Sequence, residues 1–121
     1  MNILVVDDEI DQVETLRRGL RSKGFVVFEA THPREALDRL DSTTRIDLLL
    51  TDYMMPSMNG IELLEVVRKG HPALPVIMMT AYGHKELLGN TLRSNCGYIE
   101  KPFTLDQLVQ EIEKAKANVP R

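Results

Sequence analysis

The sequence predicts an open α/β sandwich in which strand and helix alternate five times. Three observations carry that reading. Short apolar runs fall at residues 3–6, 25–30, 48–51, 76–79 and 97–99, each bounded by Asp, Gly, Pro or Asn and each too short for a buried helix. Several are apolar throughout rather than alternating, the pattern of strands covered on both faces of a parallel sheet. The stretches between them carry helical spacing, and strands alternating with helices make the layered α/β class.

In the first helix Ile10, Val13, Leu16 and Leu20 recur every three or four residues, with Arg17, Arg18 and Arg21 on the other side. Ala36, Leu37 and Leu40 mark the second, and Pro33 stands near its first turn, where a missing N–H costs little. Leu63, Leu64, Val66 and Val67 mark the third, opened by Asn59 with Glu62 three residues later. A fourth is expected over residues 84–94, interrupted by Gly89. The fifth opens on Thr104 and Gln107 as a capping box and continues through Leu105, Leu108, Val109 and Ile112.

A chain of 121 residues fits one hydrophobic core, so residues 1–121 are expected to form a single domain. Residues 118–121 read either as a true end or as the start of a linker. The net charge of -3 argues against direct binding of nucleic acid or an anionic membrane. No apolar run approaches the roughly 20 residues that cross a bilayer, and the start Met1-Asn2-Ile3-Leu4 lacks the signature of a secretory signal. Cys96 stands alone, so no internal disulfide forms, and a cytoplasmic location is expected.

In a doubly wound sheet, functional groups gather at the carboxyl ends of the strands. The first strand delivers Asp7, Asp8 and Glu9 there, the third Asp52, the fourth Thr80, and the fifth runs into Glu100-Lys101-Pro102. Any one of these reads as an ordinary polar residue opening a loop; their arrival at one edge is harder to dismiss. Three carboxylates held close repel one another, and a hard divalent cation relieves the repulsion. Mg²⁺ prefers such oxygen ligands, whereas the twelve-residue Ca²⁺ loop of the EF-hand kind is absent from the sequence. Lys101 before Pro102 is a point charge on a rigid loop, with a cis bond among its options. Thr80 can donate to the same anion that Lys101 would hold.

Four segments resemble the response-regulator receiver domain family: Val-Val-Asp-Asp-Glu (5–9), Asp-Tyr-Met-Met-Pro-Ser-Met-Asn-Gly (52–60), Thr-Ala-Tyr-Gly (80–83) and Tyr-Ile-Glu-Lys-Pro-Phe (98–103). They stand in order, each at a predicted strand end or in the following loop. The resemblance implies a flavodoxin-like, three-layer (βα)5 sandwich with strand order 2-1-3-4-5. It implies that Asp52 takes a phosphoryl group from a phosphohistidine on a sensor histidine kinase or phosphotransfer protein. Asp7, Asp8, Asp52 and the backbone carbonyl of Met54 would hold Mg²⁺, with Mn²⁺ as a substitute. Lys101 would bind the phosphoryl group, Thr80 and Tyr98 would form the switch, and Pro56 and Gly60 would shape the acceptor loop. The output would be control of an effector domain or partner protein, transcription among the options, through the face of the fourth helix, fifth strand and fifth helix. A phosphorylation-dependent homodimer is a further expectation.

Such a module is a phosphoacceptor rather than a turnover enzyme. Bulky Met54 and Tyr82, each two places after a key residue, would slow its dephosphorylation. The stretch Ser94-Asn95-Cys96-Gly97 departs from the Gly-Ala-type turn of the family, and His84 reads as a solvent-facing helix start. Two rival readings stand beside this one. An aspartate-nucleophile phosphatase would want an Asp where Met54 stands, and a phosphorylation-independent docking module would not need the intact acidic set.

Overall fold

A computed structural model describes residues 1–81 and 96–117. Its elements run β1 (Asn2–Val6), α1 (Ile10–Ser22), β2 (Val26–Ala30), α2 (Pro33–Leu40), β3 (Leu48–Asp52), α3 (Gly60–Gly70), β4 (Val76–Thr80), β5 (Cys96–Glu100) and α4 (Leu105–Ala117). The helix expected over residues 84–94, with Tyr82 and His84, lies outside the described residues. All described pairings are parallel, in the order β2-β1-β3-β4-β5. Among the described residues no helix is long and apolar enough to cross a membrane.

The apolar runs form strands because both sides of the sheet are covered. Ile3 and Val5 of β1 pack with Leu16 and Leu20 of α1 and Leu108 and Ile112 of α4. Leu4 and Val6 point the other way, among Ala36 and Leu40 of α2 and Leu63 and Leu64 of α3. The period of two thus sorts one continuous run into two separate cores.

Local chemistry sets the helix boundaries. Pro33 occupies the first turn of α2. The Asn59 side chain accepts from the Glu62 amide at 2.9 Å, and Glu62 accepts from the Asn59 amide at 3.1 Å, closing the expected box. Thr104 and Gln107 do the same before α4, at 3.1 and 2.8 Å. Gly24, at φ 92°, lets the chain leave α1 through a left-handed conformation.

Three expectations need correction. Ile10 is 71% exposed rather than part of the buried stripe of Val13, Leu16 and Leu20. It is the first residue of α1, one turn before the buried stripe begins at Val13. Val66 is 38% exposed because the buried stripe of α3 follows Gly60, Leu63, Leu64 and Val67, leaving Val66 beside it. Cys96 and Gly97, expected before the fifth strand or at its edge, are already paired with Val76 and Ile77 inside β5.

Candidate functional site: an acidic pocket at the strand ends

Each candidate residue is the last of a strand or the first beyond it. Asp7 follows Val6 directly, and its amide donates to the Ala30 carbonyl at 3.1 Å, continuing the ladder one step past β1. Asp52 closes β3 opposite Met79, and Thr80 closes β4 opposite Glu100. Lys101 follows β5, its amide bonded to the Thr80 carbonyl at 2.7 Å. The peptide that joins it to Pro102 is cis. Parallel strands therefore bring groups separated by up to about ninety residues to one edge, by backbone register alone.

Carboxylate oxygens of Asp7, Asp8 and Asp52 lie within 4.8 Å of one another. Asp7 is fully buried, Asp52 is 7% exposed, and Asp8 is open to solvent. Asp52 also meets Lys101, whose Nζ donates to Oδ1 at 3.1 Å. Burial pushes the Asp52 carboxyl above its ordinary value, and the Lys101 ammonium pulls against that rise. Asp7 is pushed further, to about 6, chiefly by burial. The Glu9 amide, which donates to Asp7 Oδ1 at 3.0 Å, opposes the rise, and the charge of Asp52 adds to it.

The second oxygen of Asp7, Oδ2, is buried without a hydrogen-bond partner among the described residues. Such an orphan is costly, because a carboxylate oxygen removed from water normally finds a donor. A hard cation fits it: the neighbours are carboxylates, and oxygen donors with one open, solvated side suit Mg²⁺.

Thr80 is fully buried, with its hydroxyl at 3.5 Å from the Ile99 carbonyl, a long and weak bond. Tyr98 lies opposite Met78, two residues short of the level of Thr80, and packs partly against the core beneath α2 and α3. The structure thus brings Asp7, Asp8, Asp52 and Lys101 into one cluster, sets Thr80 at the adjoining strand end, and leaves Tyr98 below the edge. Met54 stands in the loop after Asp52, 61% exposed. That loop is closed by Gly60, whose amide donates to the Tyr53 carbonyl at 2.7 Å. A side chain at Gly60 would meet Met78 Sδ at 2.9 Å and the Asp52 carbonyl at 3.1 Å, so the loop's return past the acceptor strand requires glycine.

Sequence reasoning did not find one contact beside the pocket. His32, which caps α2, stands with Nε2 3.0 Å from Ser57 Oγ in the acceptor loop. Nothing in the spacing of the two residues announces it; only the adjacency of the β2 and β3 exits around β1 could have.

Comparison with known proteins agrees with this arrangement. The chain matches the response regulator receiver domain family over residues 3–113. It is 43% identical over 112 residues to the transcriptional regulatory protein CpxR of Escherichia coli K12, an alignment covering 91% of this chain and 47% of that protein. It is 36% identical over 117 residues to the chemotaxis protein CheY1 of Helicobacter pylori, covering 93% of this chain and 94% of that one. A response regulator receiver domain protein of Clostridium thermocellum superposes with a TM-score of 0.86 at 28% identity, covering 94% of this chain and 92% of that chain. The chain spans 24% to 47% of the length of the transcriptional regulators it matches. With the parallel sheet and the acidic pocket already in place, the match over residues 3–113 settles the family: this chain belongs to the receiver domains of two-component response regulators.

Proposed function

We propose that Asp52 is the phosphoacceptor and that Asp7, Asp8, Asp52 and the Met54 carbonyl hold the Mg²⁺ it needs, with Mn²⁺ able to substitute. One observation carries the reading: a nearly buried carboxylate accepts from the Lys101 ammonium and lies within 4.8 Å of two further carboxylates. The Asp52 carboxylate attacks the phosphorus of a phosphohistidine on a sensor histidine kinase or phosphotransfer protein. The P–N bond breaks and an acyl phosphate forms. Bound Mg²⁺ supplies the positive charge that offsets the growing charge on the phosphoryl oxygens.

Lys101, now on Asp52 Oδ1, passes to a phosphoryl oxygen. Thr80 has little to lose by turning its hydroxyl from Ile99 to the same group, and Tyr98 follows into the space beneath. The face of β5 and α4, with the segment before β5, then engages an effector or a partner, a second copy of this domain among the candidates. The naming of CpxR as a transcriptional regulatory protein supports transcription as the output. The acyl phosphate decays by slow hydrolysis in place, without turnover of a free substrate, and the setting is the cytoplasm.

The test is phosphoryl incorporation from a small acyl-phosphate donor with Mg²⁺, followed by intact mass. One phosphoryl group is expected on the wild-type domain and none on Asp52→Asn. Incorporation that survives the substitution would overturn the assignment.

A further inference from the structure

The β2–α2 and β3–α3 loops leave the sheet on either side of β1, because β1 lies between β2 and β3. The acidic residues Asp7 and Asp8 emerge from β1, so these two loops flank them. One side-chain contact joins the loops. His32 Nδ1 accepts from the Arg34 amide at 3.0 Å, capping α2, while Nε2 lies 3.0 Å from Ser57 Oγ, 25 residues away in sequence.

The two contacts fix the ring's chemistry. A ring nitrogen that accepts from an amide carries no proton, so the N–H of this imidazole is at Nε2 and donates to the Ser57 hydroxyl. The side that His32 leaves from is itself held. The Thr31 amide donates to Glu35 Oε1 at 2.9 Å, and the Ala30 carbonyl accepts from the Asp7 amide at 3.1 Å. On the other side the acceptor loop is anchored at its base by the Gly60–Tyr53 bond and by Met55, buried in the core beneath α2 and α3. Ser57 stands beyond that anchor, exposed, with His32 as its partner.

We infer that His32 is a positioning residue: through Ser57 it holds the loop after Asp52 in the place where the Met54 carbonyl can complete the metal site. The inference rests on the reading of this pocket as a Mg²⁺-dependent phosphoacceptor site. It assigns His32 no contact with metal or phosphoryl group. The ring acts as a brace across the exit of β1, and its effect falls on the entropy of the loop that the ion must otherwise order.

Three variants separate bracing from capping. Ser57→Ala removes the brace and leaves the cap. His32→Asn keeps a side chain that accepts from the Arg34 amide, since Asn is a preferred N-cap, but is too short to reach Ser57. The double variant tests whether the two residues act as one. Each is compared with wild type by calorimetric titration with Mg²⁺, by amide hydrogen exchange of residues 54–58 without metal, and by phosphoryl uptake from a small acyl-phosphate donor.

The expected result is Mg²⁺ binding weakened about two- to tenfold in each single variant, the size of one net hydrogen bond. The double variant should be no weaker than the singles, because the loss is shared. Exchange in residues 54–58 should quicken, and uptake at saturating Mg²⁺ should match wild type. Wild-type Mg²⁺ affinity in Ser57→Ala or in His32→Asn would overturn the inference and reduce His32 to a helix cap. Additive losses in the double variant would overturn it as well. Failure of the wild-type domain to bind Mg²⁺ or take up phosphoryl would instead refute the reading of the pocket, whatever the variants do.

Discussion

The two edges of the sheet treat a carboxylate in opposite ways. Where the strands begin, Asp47 Oδ2 accepts from the Asn2 amide at 2.7 Å and Oδ1 from Arg45 Nε at 3.0 Å. Asn2 in turn donates its side-chain amide to the Arg45 carbonyl at 2.7 Å. Where the strands end, Asp7 is more deeply buried yet keeps Oδ2 without a partner among the described residues. The first edge satisfies its polar groups and so contributes to stability. The second leaves one unsatisfied, and its stabilisation awaits a ligand. Opposite polar accounting at the two ends of one sheet distinguishes scaffold from site.

The comparison breaks most sharply at Asp7. Asp7→Asn should lower Mg²⁺ affinity by at least about a hundredfold, since loss of even an outer-sphere partner costs roughly ten- to a hundredfold. The same change should stabilise the metal-free domain at neutral pH by about 3 kcal/mol, the scale of a carboxyl raised from 3.8 to about 6. The sign follows from proton linkage. A carboxyl with a raised folded-state value contributes stability that is complete below its ordinary value and lost as the pH rises through about 6. The advantage of Asn should therefore vanish in acid near pH 4 and be full above neutrality. Thermal melts across that range in a chelating buffer check it, and a stability gain independent of pH would show that repacking, not charge, is responsible.

A smaller effect is expected at Gly60, where alanine would press on Met78 Sδ and the Asp52 carbonyl. Overpacking of this kind costs about 1–3 kcal/mol. Because the strain lands on the acceptor strand, denaturant melts and Mg²⁺ titration should both change. The smallest effect belongs to the opposite edge. Asp47→Ala strips the Asn2 amide of its acceptor and should cost about 1 kcal/mol with Mg²⁺ affinity untouched. A shift in affinity there would show that the two edges are coupled through β1.

Much of this was legible in the sequence because strand ends announce themselves. The step from Val6 to Asp7 and the position of Asp52 after Leu50 and Thr51 each mark where an apolar run gives way to a charged group, and the structure ends β1 and β3 there. Asn59 with Glu62 and Thr104 with Gln107 fixed two helix starts for an equally local reason. Ile10 and Val66 misled because helical spacing also admits residues at the margin of a stripe, and packing decides which of them is covered. The His32–Ser57 contact was invisible for a different reason. It joins two loops whose proximity follows from strand order, and neither loop carries a pattern of its own.

The parallel sheet has a consequence for how freely the outer surface can vary. Every strand runs the same way, so the chemistry hangs from strand ends alone, while Arg18, Arg34 and Asp38 line outward helix faces that support none of it. Substitutions on those faces can therefore accumulate without disturbing the acceptor, so that one chemical device can wear many different surfaces.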